Sequence, residues 1–260
     1  MNYRCLLFDL DGTLLRSDKT ISARTLRALE LCRKRGLLIG ICTNRGENRA
    51  RPFLKAVRPD VVISSGGALV RCDGEVILRA EFSPEETAHI LDAIRRVCGP
   101  DREITMDTVD AHYQNFKSDP AVQDDSWSDS IYCDFDRYSG PTLKISTEIT
   151  DETFPALSAA LPDCDCLRHS EVDWCKITRK NITKGAALEA VCRTLGLLPE
   201  EIAAFGDDTP DIELLRLCGL GVAMGNAIPA VKAAADVIIG TNDEDGIAAW
   251  VDAMINEVTA

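Results

Sequence analysis

Asp9 and Asp11 stand two residues apart, behind the apolar run Cys5-Leu6-Leu7-Phe8 and ahead of Gly12-Thr13. On an extended chain, residues two apart leave the same face, so both carboxylates point one way. Gly12 permits a sharp turn directly after them. A second acidic group, Asp207, Asp208 and Asp211, follows the run Ile202-Ala203-Ala204-Phe205-Gly206. Carboxylates gathered in one crevice oppose each other's ionisation, and they stay ionised together when a cation sits among them. A carboxylate set with no His or Cys suits a hard, oxygen-liganded ion, Mg²⁺ first.

Thr43 and Asn44 close a third apolar run, residues 37–42. A hydroxyl and backbone N–H groups at a strand-to-helix turn make a cradle for an anion. Lys184 opens a helical pattern, Lys184-Gly185-Ala186-Ala187-Leu188, where a cation gains nothing from the helix dipole; its partner must lie elsewhere. Metal, lysine, hydroxyl and helix N-termini describe a site for a phosphate dianion, with one carboxylate left to attack. In that chemistry Asp9 displaces an alcohol in line and becomes an aspartyl-phosphate. Asp11 protonates the leaving oxygen and then takes a proton from the hydrolytic water. Mg²⁺ and Lys184 neutralise charge on the equatorial oxygens.

These residues need elements that end where they stand. The apolar runs 5–8, 37–42, 61–63, 202–205, 221–224 and 237–239 are continuous, and most end in Gly, Ser, Thr or Asp. Continuous hydrophobicity suits strands covered on both faces. Between them lie helical patterns: one from Ser22 to a stop at Gly36, one from Lys184 to Gly196, and one beginning near Pro210-Asp211. Strands alternating with helices give an α/β fold with a doubly wound, Rossmann-like parallel sheet, whose ligands bind beyond the carboxyl ends of the strands. The middle of the chain breaks this rhythm. Ser83-Pro84-Glu85-Glu86 is a capping box with proline at the first helical position, and its helix stops at Gly99-Pro100. Tyr113, Phe116, Trp127, Tyr132, Phe135 and Tyr138 follow, then an alternating, half-buried strand over 142–149 and a helix over 151–161. The expected organisation is a core of residues 1–80 and 182–260, with an α+β cap inserted as 81–181.

Composition narrows the partners. The 260 residues carry 29 Lys plus Arg against 42 Asp plus Glu, a net charge of −13. That balance excludes sequence-independent nucleic-acid binding, which needs a basic surface, and docking on anionic lipid. No stretch reaches the roughly 18 apolar residues of a membrane span, and the apolar start ends at Asp9, short of a signal peptide. A chain of this length buries about three quarters of its unfolded surface and needs no staples. The 11 cysteines read as free thiols in a reducing compartment; one C-x-C pair, Cys164 and Cys166, is weak evidence for zinc. The expected location is the cytoplasm, and the oligomeric state is not legible.

Asp9-Leu10-Asp11-Gly12-Thr13 matches the DxDGT signature of the haloacid dehalogenase-like phosphatases, and three further motifs follow in that family's order. Thr43-Asn44-Arg45 resembles the second, Lys184-Gly185 the third and Gly206-Asp207-Asp208-Thr209-Pro210-Asp211 the fourth. Gly225-Asn226-Ala227 and Asn242-Asp243-Glu244-Asp245-Gly246 are similar to the Cof-type branch, which carries a large cap between motifs two and three. The resemblance implies Asp9 as nucleophile and Asp11 as acid/base. It implies Asp9, the Asp11 carbonyl and Asp207 as Mg²⁺ ligands, with Asp211 orienting that shell. Thr43, the Asn44 backbone and Lys184 would bind phosphate. Three positions depart from the family pattern: Pro210 replaces an Asn, Asn44 a Gly, and Gly66-Gly67-Ala68 an Asn-Gly-Ala.

The expected activity is Mg²⁺-dependent hydrolysis of a small phosphorylated metabolite, sugar phosphates being the family's common substrates. A phosphomutase using the same aspartyl-phosphate and a phosphometabolite-binding regulatory protein are the alternatives. Other features have plainer readings. Asp208 is a turn acid, and Asn242 to Gly246 is a helix-capping turn and not a calcium loop, for it lacks the alternating ligands and terminal Glu. His112 and His169 are surface or core histidines before they are substrate contacts. Tyr113, Trp127 and Trp174 belong to the cap core.

Overall fold

The chain begins with β1 (Cys5–Phe8), α1 (Ala23–Lys34), β2 (Leu38–Cys42), α2 (Glu47–Val57), β3 (Val61–Ser64), β4 (Leu69–Cys72) and β5 (Glu75–Arg79). There follow α3 (Pro84–Cys98), β6 (Ile104–Asp107), β7 (His112–Gln114), β8 (Ile131–Tyr132), β9 (Lys144–Glu148), α4 (Thr153–Ala160), β10 (Cys164–Arg168) and β11 (Trp174–Arg179). Last come α5 (Lys184–Leu195), β12 (Ile202–Gly206), α6 (Ile212–Leu217), β13 (Leu220–Ala223), α7 (Pro229–Ala234), β14 (Val237–Ile238) and α8 (Gly246–Glu257). These elements are those of a computed structural model, which describes residues 3–117, 130–169 and 172–257; Trp127 lies outside them. They gather into two units, one of Met1–Asn44, Pro52–Leu78 and Thr183–Ala260, the other of Arg45–Arg51 and Arg79–Ile182.

The six apolar runs all become strands of one eight-stranded sheet, ordered β14-β13-β12-β1-β2-β3-β4-β5. β1 pairs in parallel with β2 on one side and β12 on the other, Phe8 lying opposite both Ile41 and Phe205. Chain order runs outward from β1 through β2 and β3, and resumes on its other flank through β12, β13 and β14. The reversal opens a crevice beyond the carboxyl ends of β1 and β12, where an open α/β sheet takes its ligands. β1, with four consecutive buried residues, is covered on both faces. The sheet also extends past the parallel strands: β4 returns antiparallel to β3, an addition the doubly wound reading did not include. α2 was not foreseen either, because it holds Pro52 within its span.

Local signals set the helix ends. The Ser22 hydroxyl accepts from the Thr25 N–H and starts α1. Thr183 does the same for α5 through the Ala186 N–H, and Gly196, at φ 61°, closes it in the left-handed region. Beyond β12 the helix expected near Pro210 begins as a 3₁₀ turn over Thr209–Asp211 and becomes α6 at Ile212. Proline suits that first turn, where its missing N–H is not needed.

The second unit is a six-stranded sheet, ordered β10-β11-β9-β6-β7-β8, antiparallel except between β7 and β8. The capping box of α3 forms as expected, with Ser83 and Glu86 each accepting from the other's backbone N–H. Ile90, Leu91 and Ile94 of α3 share one buried cluster with Met106, Ile145, Leu157 and Ile177. β9 departs from the half-buried expectation, since Lys144 to Thr147 are all buried. Its apolar Ile145 joins the cluster, while Lys144, alternating to the opposite face, ion-pairs with Asp107 at 2.7 Å. Asp107 also binds His112 Nδ1 at 2.6 Å, so that histidine is a buried structural partner of Asp107. Tyr113 stacks edge-on against Tyr138, and Trp174 against Phe116.

Candidate active site

Three strands of the first unit deliver the chemistry. Asp9 follows β1, Thr43 follows β2 and Asp207 follows β12, all at carboxyl ends. Lys184 is the first residue of α5 and is 2% exposed. Its Nζ donates to Asp9 Oδ1 at 2.5 Å and to Asp211 Oδ1 at 2.6 Å. The lysine at a helix start, unfavoured by the dipole, thus has two buried carboxylates as partners. Asp211 Oδ2 in turn accepts from the backbone N–H groups of Asp207 and Asp208, at 3.0 and 3.2 Å. Asp207 Oδ1 accepts from the Thr13 hydroxyl at 2.8 Å. Carboxylate oxygens of Asp9, Asp207 and Asp211 lie within 4.8 Å of one another. Asp11 turns its carboxylate elsewhere, taking Lys19 Nζ at 2.9 Å. Asp208 is the turn acid, accepting from the Thr209 N–H.

Two glycines make the approach of these segments possible. Gly12 adopts φ +75°, and a Cβ there would stand 2.1 Å from Asp207 Oδ2. Gly67 adopts φ +108°, and a Cβ would meet the Thr183 carbonyl oxygen at 2.2 Å. The loop after β3 is therefore packed, backbone on backbone, against the start of α5 that carries Lys184. Thr43 is held by its own backbone: its N–H donates to the Ile63 carbonyl and its carbonyl accepts from the Gly66 N–H. Asn44 follows it, half-buried.

Residues 6–251 match the family model of the haloacid dehalogenase-like hydrolases. The chain belongs to that family. Among relatives, the pyridoxal phosphate phosphatase YbhA of Escherichia coli is 27% identical over 96% of this chain and 98% of its own. The 5-amino-6-(5-phospho-D-ribitylamino)uracil phosphatase YitU of Bacillus subtilis is 26% identical over 95% of each. The solved sugar phosphatase BT4131, of subclass IIB, superposes with a TM-score of 0.81 at 25% identity over 96% of this chain and 98% of that one. Family membership in the Cof-type branch and the α/β core follow from these likenesses together.

In this hydrolase burial governs the charges. Burial pushes the Asp9 carboxyl well above its ordinary pKa; Lys184 opposes the shift, and Asp211, Asp207 and Asp11 add to it. Burial likewise pushes Asp207 up to about 7, against the Thr13 hydroxyl bond and with the help of Asp211. Burial alone would lower Lys184, but the Asp211 and Asp9 carboxylates hold it well above its usual value. Three clustered acids, two of which burial resists ionising, are a donor set that fits a divalent cation: its charge favours all three ionised. The oxygen-only set, with no sulfur or imidazole, suits Mg²⁺. One Asp211 carboxylate oxygen lies within this cluster; the family resemblance implied for Asp211 a role in orienting the metal's ligands. Its two oxygens are already engaged by Lys184 and by backbone N–H groups, which orients it in either role. Pro210 leaves these bonds intact, since the Asp211 N–H still closes the 3₁₀ turn on the Asp208 carbonyl at 2.9 Å.

Thr13 and Lys19 are the site neighbours the sequence did not assign. Thr13 was visible as the last letter of the DxDGT signature, but nothing in spacing tied it to a residue 194 positions away. Lys19 had no signal beyond its nearness to Asp11.

Proposed function

We propose that this hydrolase is a Mg²⁺-dependent phosphatase that cleaves small phosphorylated metabolites through an aspartyl-phosphate on Asp9. The observation that carries the reading is the buried Asp9–Lys184–Asp211 constellation at the carboxyl end of β1, in a chain whose relatives YbhA and YitU are phosphatases of small phosphate esters. Asp9, the Asp11 carbonyl and Asp207 would hold Mg²⁺, with Asp211 in or beside that set. When bound, the ion supplies positive charge to the phosphoryl oxygens and keeps the carboxylates ionised. Lys184, the Thr43 hydroxyl and the Asn44 N–H bind the remaining phosphoryl oxygens, so that phosphorus lies in line with an Asp9 oxygen.

Asp9 attacks phosphorus, the P–O bond to the leaving alcohol breaks, and Asp11 gives its proton to the departing oxygen. Water then attacks the same phosphorus, Asp11 takes the water's proton, and the Asp9–phosphorus bond breaks to release inorganic phosphate and the free carboxylate. In this reading residues 81–181 are the cap of the Cof-type branch. Sugar phosphates head the substrate class, as for BT4131, with phosphorylated cofactors next, as for YbhA.

The test is a phosphate-release screen over a broad panel of metabolites, with and without Mg²⁺. Release should need Mg²⁺ and should fall by about 10⁴-fold or more in Asp9→Asn, which keeps the shape but removes the nucleophile. Undiminished turnover by Asp9→Asn would sink the mechanism.

A further inference from the structure

The segment between β1 and α1 carries Asp11 and turns back at Gly12, and side chains from the far end of the chain hold it. Asn226 Nδ2 donates to the Gly12 carbonyl at 2.8 Å, and Asn242 Nδ2 donates to the Leu15 carbonyl at 2.9 Å. The Asn242 N–H donates to Asn226 Oδ1 at 3.1 Å, which joins the two asparagines. The amide orientation of Asn226 follows, since a carbonyl can only accept and a backbone N–H can only donate. Two acids extend the clasp. Asp243 accepts from both the N–H and the hydroxyl of Ser17, at 2.9 and 2.7 Å; Asp245 takes the Arg16 guanidinium at 2.7 Å. On the inner side Thr13 is bound to Asp207. The stretch Asn242 to Gly246 therefore does more than precede α8.

We infer that Asn226 and Asn242 are positioning residues for Asp11: they fix the carbonyls of Gly12 and Leu15 and so hold the Asp11 turn in place for proton transfer. The inference rests on the phosphatase reading above. Asp11 is followed at once by a glycine at φ +75°. The turn closes on itself through the Leu14 N–H to the Asp9 carbonyl and the Leu15 N–H to the Leu10 carbonyl, and the two asparagines add a hold from outside it. A general acid must lie within hydrogen-bond reach of the oxygen it protonates, and a misplacement of about 1 Å can cost about 10²-fold in rate.

Asn226→Asp and Asn242→Asp keep the side-chain shape and an acceptor but remove the donor to the held carbonyl. Each would be assayed with Mg²⁺ on two probes, glycerol 2-phosphate and p-nitrophenyl phosphate. The first loses a basic alkoxide and needs the proton from Asp11; the second loses a stabilised phenolate and does not. The hydrolysis of the aspartyl-phosphate uses Asp11 for both esters, so the comparison is made in kcat/KM, which reports phosphoryl transfer to Asp9 alone. We expect it to fall about tenfold or more on glycerol 2-phosphate and less than about threefold on p-nitrophenyl phosphate. The Asn226 bond is at an exposed position and the Asn242 bond to Leu15 is part-buried, so the Asn226 variant should melt near the parent and by itself carries the test. Equal losses on both esters, or no loss in a folded variant, would overturn the positioning role. Failure of both variants to fold would make the clasp structural and overturn it too. A parent chain that releases phosphate from neither probe would overturn the phosphatase reading, and this inference with it.

Discussion

Lys184 shows how much a single buried residue can organise. With 2% exposure it joins two carboxylates, and removing one member of such a group leaves uncompensated charge in a dry place. Asp207 gives the residue scale a pH signature. Its folded pKa of about 7 lies above the roughly 3.9 of an unfolded aspartate. Between those values the folded chain holds a proton that the unfolded chain has released, so the metal-free protein loses stability as pH rises from about 4 to about 7. Mg²⁺ held by Asp207, as proposed, would compete with that proton. The rise in melting temperature on adding Mg²⁺ should therefore be larger at about pH 8 than at about pH 5.5. Thermal melts at both pH values, with and without the ion, check this; equal Mg²⁺ shifts would remove Asp207 from the metal set. At this scale the sequence marked Asp9, Lys184, Asp207 and Asp211 by where they stand against apolar runs and helix starts. It did not mark the bonds among them, because Asp9 and Lys184 are 175 positions apart.

Elements decide whether those residues meet. The six apolar runs were readable as strands because burial on both faces demands continuous hydrophobicity, and Ser22, Ser83 and Gly196 announced helix ends through capping chemistry. α2 was hidden by Pro52, and β4 by its antiparallel return, neither of which the period of hydrophobicity reveals. The start of α5 is fixed by the loop after β3, where Gly67 admits the Thr183 carbonyl. Gly67→Ala would bring a Cβ to within 2.2 Å of that oxygen in a left-handed conformation. It should cost about 1–3 kcal/mol or more of stability and lower phosphate release by displacing Lys184. Urea unfolding, and turnover of the folded fraction, measure the two effects.

At the scale of the molecule the two units have separate apolar interiors, and each holds its own tryptophan reporter. Trp250 packs on Phe205 at 5.0 Å in the first, and Trp174 on Phe116 at 6.0 Å in the second. Ile145→Ala, at a fully buried position of the second unit, should cost about 2–5 kcal/mol. Followed in single-tryptophan variants, it should lower the urea midpoint reported by Trp174 more than that reported by Trp250. Equal shifts would mean that the units unfold together. The net charge of −13 also belongs to this scale. Only a few of the 42 acids stand in the site, and there Lys184 and the backbone N–H groups of Asp207 and Asp208 oppose the overall sign. An overall negative charge is therefore compatible with the proposed small phosphate ester.

By itself the sequence determined the α/β alternation, the helix ends and the placing of Asp9, Asp207 and Lys184 at strand ends and a helix start, because these depend on local periodicity and capping. No helix of the described residues is long and apolar enough to cross a membrane, in keeping with the same pattern. Tertiary structure alone decided that Lys184 binds both Asp9 and Asp211, that Asp207 is raised to about 7, and that Asn226 and Asn242 clasp the turn behind Asp11. Each of these depends on distances between segments far apart in the chain, or on how deeply a group is withdrawn from water. Neither quantity is carried by spacing along one strand of sequence.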